Sequence, residues 1–179
     1  MMEVADGIHT VNDVYAPEEC QEFITLSENI GYEAAPINVF GAAMVRPDVR
    51  NNARVILDDE LLAEGIWSRV KQHLPRVING RRAIGLNERL RFYRYDPGEK
   101  FEPHVDGYYM RPNGEQSMLT FMLYLNGGFE GGETSFQSGL SIKPEAGMIL
   151  VFRHALYHEG AAVVSGRKYV LRSDVMFSL

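Results

Sequence analysis

The sequence predicts a mainly β protein, an antiparallel sandwich or barrel backed by an N-terminal helical layer. Short apolar, β-prone runs dominate from about residue 86 onward, and glycine-containing breaks separate them. No helix-period pattern lies between these runs, as a parallel α/β sheet would require. The chain has 179 residues, 45% hydrophobic and 23% charged. That is the size and composition of one globular domain, and it excludes a disordered tail or a fibre.

The helical part comes first. Pro17 suits a first helical turn, Glu18 and Glu19 favour a helix N-terminus, and Phe23, Leu26 and Ile30 recur at helical spacing before Gly31. A second helix starts near Asp58 and Asp59 and ends before Pro75, with Leu61, Leu62, Ile66, Trp67 and Val70 on its apolar face. Between the helices, residues 36–54 carry Arg46, Arg50, Arg54 and the pair Asn51-Asn52, and read as a loop or hairpin.

The strands follow. Leu90, Phe92, Tyr93 and Tyr95 lie in an extended stretch ended by Asp96-Pro97-Gly98. Parity puts Leu90 and Phe92 on one face, and Tyr93 and Tyr95 on the other. Met118–Leu125, closed by Asn126-Gly127-Gly128, is a further β-prone run, as are Met148–Phe152 and Tyr169–Phe177; Gly131-Gly132 and Gly147 break the chain between them. The expected organisation is a single domain over 1–179. Residues 1–85 form a helical supporting layer with the first strands, and 86–179 form the β core that carries the site.

Charge and rare residues bound the function. Eighteen basic against twenty-four acidic residues leave a net charge of −6, which argues against nonspecific binding to nucleic acid or acidic membranes. A single cysteine, Cys20, allows neither an intrachain disulfide nor a thiolate zinc cage. Any metal site must draw on the five histidines His9, His73, His104, His154 and His158 together with oxygen ligands. The start Met1–Asp6 lacks the pattern of a signal peptide, and no apolar run reaches the roughly 20 residues of a membrane helix. A cytoplasmic protein is the expectation.

Pro103-His104-Val105-Asp106 follows the Tyr95 stretch. In extended chain, residues two apart share a side, so His104 and Asp106 can converge, with His158 arriving from a distant strand. Two imidazoles and a carboxylate can occupy one face of an octahedral metal, the facial triad of non-haem Fe(II) chemistry. The ordinary alternative is a histidine hydrogen-bonded to its neighbouring aspartate, and His154 competes with His158 for the third place. Farther on, Lys168, Val170 and Arg172 share one strand face. A buried cation there needs an anion, which a metal-chelating dicarboxylate would supply; two surface cations on an edge strand are the plain alternative.

These pieces together resemble the Fe(II)/2-oxoglutarate-dependent dioxygenases, and within them the prolyl 4-hydroxylase-like branch. The resemblance runs over roughly residues 86–177, through Arg94–Gly98, Phe101–Asp106, Leu119–Asn126, Gly131–Phe136, Lys143-Pro144, Gly147, His158–Gly160 and Gly166–Tyr169. It implies a double-stranded β-helix core (jelly-roll, cupin-like). Iron would be held by His104, Asp106 and His158, and the distal carboxylate of 2-oxoglutarate by Lys168, with Arg172 as the second candidate. Tyr95, Tyr124 and Thr134 would line the cosubstrate pocket. Arg172 stands where a smaller residue is common in the family.

The implied cofactors are Fe(II), 2-oxoglutarate as cosubstrate and O2, and ascorbate is compatible with them. The implied reaction hydroxylates a C–H bond, for instance of a prolyl residue, with release of succinate and CO2. Asp106 favours hydroxylation, because related halogenases lack this carboxylate. Substrates in scope are a peptide or protein, or a polar small molecule, met by Arg46, Arg50, Asn51, Asn52, Arg54 and a loop at Tyr108–Gly114; no oligomeric state follows. Two other classes remain: a cupin-like metal isomerase or hydrolase that needs no Lys168, and a noncatalytic domain with an inherited fold.

Overall fold

Residues 2–39 and 42–179 are described by the computed structural model. The chain opens with β1 (Met2–Ala5), β2 (Ile8–Val11), α1 (Pro17–Ile30) and β3 (Glu33–Ala34), then the paired strands β4 (Ile37–Val39) and β5 (Ala42–Met44). Next come β6 (Ala53–Asp58), α2 (Glu60–Val70), β7 (Val77–Ile78), β8 (Arg81–Leu86) and β9 (Arg89–Tyr95). The second half is all strand: β10 (Phe101–His104), β11 (Gln116–Tyr124), β12 (Glu130–Gly131), β13 (Thr134–Phe136), β14 (Ser141–Ile142), β15 (Ile149–Arg153), β16 (His158–Gly160), β17 (Val163–Ser165) and β18 (Lys168–Phe177).

Two antiparallel sheets form the jelly-roll. The larger runs β1-β2-β15-β11-β18-β9-β6-β3, with β8 also on β18; the smaller runs β10-β16-β13-β14. Strands of the first half thus complete the large sheet, with β2 on β15 and β6 on β9. Strand parity sorts the core into two layers. Leu90 and Phe92 of β9, Phe121 of β11 and Leu171 of β18 pack outward against Cys20 and Ile24 of α1 and Ile66 and Trp67 of α2. Tyr93, Tyr95, Tyr124, Phe152 and Val170 face inward, against Phe136 and Ile142 of the small sheet. Each fully buried Phe or Leu contributes about 1.5–3 kcal/mol.

The helices start and stop as their sequences dictate. Glu19 accepts the Ala16 N–H at 2.8 Å at the head of α1, and Gly31, with φ of 97°, ends it. Asp59 caps α2 by accepting the Leu62 N–H at 2.9 Å. One expectation fails here: Leu61 is 87% exposed, and Ala63 takes its place in the buried set with Ile66, Trp67 and Val70. Positions 63, 66, 67 and 70 lie on one stripe, whereas 61 lies about 140° from 66 on the helical wheel. The region 36–54 is more ordered than a loop: β4 and β5 form a hairpin, residues 40 and 41 fall outside the described residues, and Ala53 and Arg54 already belong to β6. No described helix is long and apolar enough to cross a membrane.

Candidate active site

Strand pairing brings the two distant histidines together. β10 and β16 are antiparallel partners, and His104 stands directly opposite His158, their ring centroids 4.4 Å apart. Asp106 lies just past the end of β10, where its N–H donates to the His154 carbonyl at 3.0 Å. Its two carboxylate oxygens sit 3.7 Å from His104 Nε2 and 3.6 Å from His158 Nε2. One candidate ligand atom from each of the three residues lies within 4.8 Å of the others. Ligand bonds of about 2.0–2.2 Å set two donors of one ion about 3–4 Å apart, so the spacing suits a shared metal.

The tautomers follow from the backbone. His104 Nδ1 donates to the Glu102 carbonyl at 2.8 Å, and His158 Nδ1 donates to the Leu156 carbonyl at 2.9 Å. A carbonyl only accepts, so each Nδ1 carries the proton and each Nε2 turns a lone pair toward Asp106. Burial pushes His158 down to about 4 despite the attraction of Asp106, so it is neutral at pH 7. Burial alone would raise Asp106. The Arg172 guanidinium, the two histidines and the Thr120 hydroxyl instead hold its carboxyl well below the usual range. The donor set therefore fits Fe(II): two imidazoles and one carboxylate, facing the same point.

At the other end of the cavity that these residues line, Lys168 is buried at 2% exposure. Its ammonium donates to the Gly132 carbonyl at 2.6 Å and lies 5.0 Å and 5.6 Å from the Tyr95 and Tyr124 ring centroids. It forms no ion pair among the described residues, and burial pushes it down to about 7, against the pull of Glu133. Tyr95 and Thr134 line the same cavity, while Tyr124 stands behind it with its hydroxyl 2.7 Å from Thr134 Oγ1. Arg172 is placed differently. Its guanidinium lies 3.0 Å from Asp106 Oδ1, 3.4 Å from Asp174 Oδ1 and 3.4 Å from the Tyr93 hydroxyl. The two cations expected to compete thus have separate surroundings: Arg172 is paired with carboxylates, and Lys168 is not.

Residues 90–173, which contain the triad, Lys168 and Arg172, match the family model described as the 2OG-Fe(II) oxygenase superfamily. Over this segment, just under half of its length, the chain is similar to that superfamily. Among curated proteins it is similar to probable prolyl 4-hydroxylase 10 of Arabidopsis thaliana, 32% identical over 114 residues, covering 46% of this chain and 39% of the relative. It is also similar to prolyl 4-hydroxylase 1 of the same plant, 23% identical over 188 residues, covering 90% of this chain and 66% of the relative. The chain thus spans between 39% and 66% of the length of these two relatives.

Solved structures share the fold. The viral collagen prolyl hydroxylase of Paramecium Bursaria Chlorella virus-1, in complex with 2OG, superposes with a TM-score of 0.67 at 22% identity, over 97% of this chain and 99% of that one. A Trichoplax adhaerens prolyl hydroxylase, in complex with a hypoxia inducible factor oxygen degradation domain peptide fragment, gives 0.74 at 14% identity, over 96% and 84%. Fe(II) and 2-oxoglutarate are the groups typical of that superfamily, and the donor chemistry of the His104, Asp106 and His158 cluster and of the Lys168 cavity is compatible with both.

Two residues beside the His104, Asp106 and His158 cluster, Ser117 and Thr120, were given no role in the sequence. A hydrogen-bond chain leads to Asp106 from the loop that follows it. The Tyr109 N–H donates to Ser117 Oγ at 2.9 Å, and Ser117 Oγ lies 2.9 Å from His154 Nε2. His154 Nδ1 is 2.9 Å from Thr120 Oγ1, whose hydroxyl donates to Asp106 Oδ2 at 2.6 Å. The carboxylate can only accept, so the directions are set: Thr120 donates to Asp106, His154 Nδ1–H donates to Thr120, and Ser117 donates to His154. A faint signal was present, since Thr120 shares its strand face with Met122 and Tyr124 in an otherwise apolar run.

Two expectations about the surroundings change. Of the polar residues in 36–54, Arg50 and Asn52 are buried, at 5% and 1% exposure, while Arg46 is exposed and paired with Asp48 at 2.6 Å. None of Tyr108–Gly114 lines the triad cavity. Tyr108 lines a separate recess with Ser117 and His154, and Arg111 is paired with Glu88 and Glu115. Cys20 is buried within α1, away from the site's lining.

Proposed function

We propose that the protein is an Fe(II)- and 2-oxoglutarate-dependent hydroxylase, with a prolyl residue of a peptide or protein as its substrate class. The observation that carries this reading is the inward-facing set of His104 Nε2, His158 Nε2 and Asp106, together with a buried, uncompensated Lys168 in the same cavity. His104, Asp106 and His158 would hold the metal and leave half of an octahedron for cosubstrate and O2. When bound, Fe(II) and 2-oxoglutarate supply oxidation of a C–H bond to C–OH, with one atom of O2 in the product and the other in succinate, and with loss of CO2.

The chain's own contribution is orientation and electrostatics. The two backbone carbonyls hold the imidazoles in the ligating tautomer, while Thr120 and Arg172 fix the carboxylate. Lys168 meets a carboxylate of the cosubstrate in a water-poor pocket, where a charge-assisted bond is strong. The prolyl assignment is supported by the similarity to the prolyl hydroxylases above.

Protein supplied with Fe(II) and 2-oxoglutarate is expected to release succinate, and His158→Ala to abolish both metal binding and release. Lys168→Ala is expected to raise the KM for 2-oxoglutarate by about 10–100-fold, the worth of one charged hydrogen bond, while metal binding is kept. Succinate release untouched by His158→Ala sinks the reading. Metal binding without any affinity for 2-oxoglutarate returns the protein to the cupin-like isomerases or hydrolases.

A further inference from the structure

Cations outnumber carboxylates beside the triad. On the inner face of the large sheet, strand register sets Arg54 beside Tyr93 and Arg91 beside Arg172. Arg50 reaches the same place from the segment before β6, which runs antiparallel along β10. Arg50 bridges Phe101, and the Glu102 N–H donates to the Val49 carbonyl at 2.9 Å. The Arg50 guanidinium lies 4.4 Å from the ring centroids of both Tyr93 and Phe101. Both rings line the triad cavity, and Phe101 in turn stacks on His104 at 3.6 Å. Arg50 is therefore separated from a proposed iron ligand by a single aromatic ring.

The charges do not balance. Arg91 pairs with Asp174 at 3.4 Å, and Arg172 pairs with Asp106 and Asp174. Arg50 and Arg54 form no ion pair among the described residues. Arg50 Nε donates to the neutral amide oxygen of Asn52 at 2.7 Å, whereas Arg50 Nη2 and Arg54 Nε are buried with no hydrogen-bond partner among the described residues. Glu33 stands opposite Arg54 in register without pairing with it, and the acidic residue between them in sequence, Asp48, is exposed and paired with Arg46. A divalent ion at the triad and a dianionic cosubstrate cancel each other, so loading the site leaves the surplus in place. Burying a guanidinium without an anion is costly, even with stacking on two rings to offset part of the cost.

We propose that Arg50 and Arg54 form a carboxylate-binding subsite for the molecule to be oxidised, so that the favoured substrate carries a carboxylate next to its reacting carbon. The proposal rests on the hydroxylase reading above and narrows its substrate class. A guanidinium held flat between two rings is pre-organised for a carboxylate, which it can grip through two parallel N–H bonds. Two sources share this chemistry: the side chain of an acidic residue adjoining a target proline, and the α-carboxylate of a free imino acid.

The test measures how far compounds accelerate succinate release above the substrate-free rate, with addition of one oxygen followed by mass spectrometry. One arm compares N-acetylated, C-amidated prolyl peptides with Glu or Gln on either side of the proline. The other compares L-proline with L-prolinamide. In at least one arm the acidic member is expected to exceed its neutral partner at least about tenfold in kcat/KM, and the arm that responds identifies the source. Arg50→Gln is expected to bring that ratio close to one; Arg54→Gln, on a less buried side chain, is expected to lower it if Arg50→Gln does not fold. Equal acceleration by acidic and neutral partners, no acceleration by any acidic member, or a ratio unchanged in these variants overturns the proposal while leaving the hydroxylase reading intact. Absence of succinate release under every condition overturns that reading instead, and this proposal with it.

Discussion

Thr120 shows how much a single hydroxyl can do in this site. It donates to Asp106 Oδ2 and accepts from His154 Nδ1, so it links the proposed iron carboxylate to a histidine that the metal does not need. Burial lowers the pKa of His154, in keeping with its neutral, singly protonated form. Thr120→Val keeps the shape and removes both bonds. It is expected to weaken Fe(II) binding by about 10–100-fold, as loss of an outer-shell partner does, and to cost about 1–3 kcal/mol for the His154 N–H left without an acceptor. Metal titration and denaturant unfolding read the two effects separately. The His-x-Asp spacing was legible in the sequence because parity alone puts both side chains on one side. The Thr120–His154 link was not, since it joins a strand to a turn 34 residues away.

At the scale of elements, periodicity told helices from strands correctly and assigned most faces. Parity in β9 placed Leu90 and Phe92 in one core layer and Tyr93 and Tyr95 in the other, because a strand buried on both sides must still alternate. It misread α2, where counting apolar residues put Leu61 inside. A three-turn helix has room for one stripe, and that stripe runs through Ala63, a residue too small to draw notice in the sequence. Ile66→Ala is expected to cost about 2–4 kcal/mol in urea unfolding, while Leu61→Ala stays within about 0.5 kcal/mol. A large loss at Leu61 would mean that another surface covers it.

For the whole molecule, buried charge makes stability and binding depend on pH. Lys168 is ordinarily charged up to 10.5 when the chain is unfolded, but burial brings it down to about 7 in the folded protein. Between these values the unfolded chain binds one more proton, so the cofactor-free protein gains stability as pH rises from about 7 toward 10.5. A carboxylate arriving beside Lys168 favours its charged form. Binding of 2-oxoglutarate near pH 8.5 is therefore expected to take up about one proton, read as a buffer-dependent heat in calorimetry, and Lys168→Met should remove most of the uptake. Tyr93 contributes to the same signal: burial would raise it, yet Arg172, Arg50 and Arg91 hold it at about 8. Tyr93→Phe separates the two. A proton count indifferent to Lys168→Met would place the cosubstrate away from this lysine.

The sequence by itself determined the element types, the alternation that sorts β9 and β18 into two faces, and the residue types able to hold a hard metal. These depend on neighbours a few positions apart, where backbone geometry dictates the answer. Only the tertiary structure decided which groups meet across long separations. It set His104 opposite His158, carried Arg172 onto Asp106 and left Lys168 without an ion pair among the described residues, and it packed Arg50, from a polar, loop-like stretch, against Tyr93 and Phe101 of the cavity wall. Such outcomes follow from cross-strand register and from closure of two sheets, which no local pattern encodes. They settle whether a charge is balanced by the protein itself or awaits a ligand.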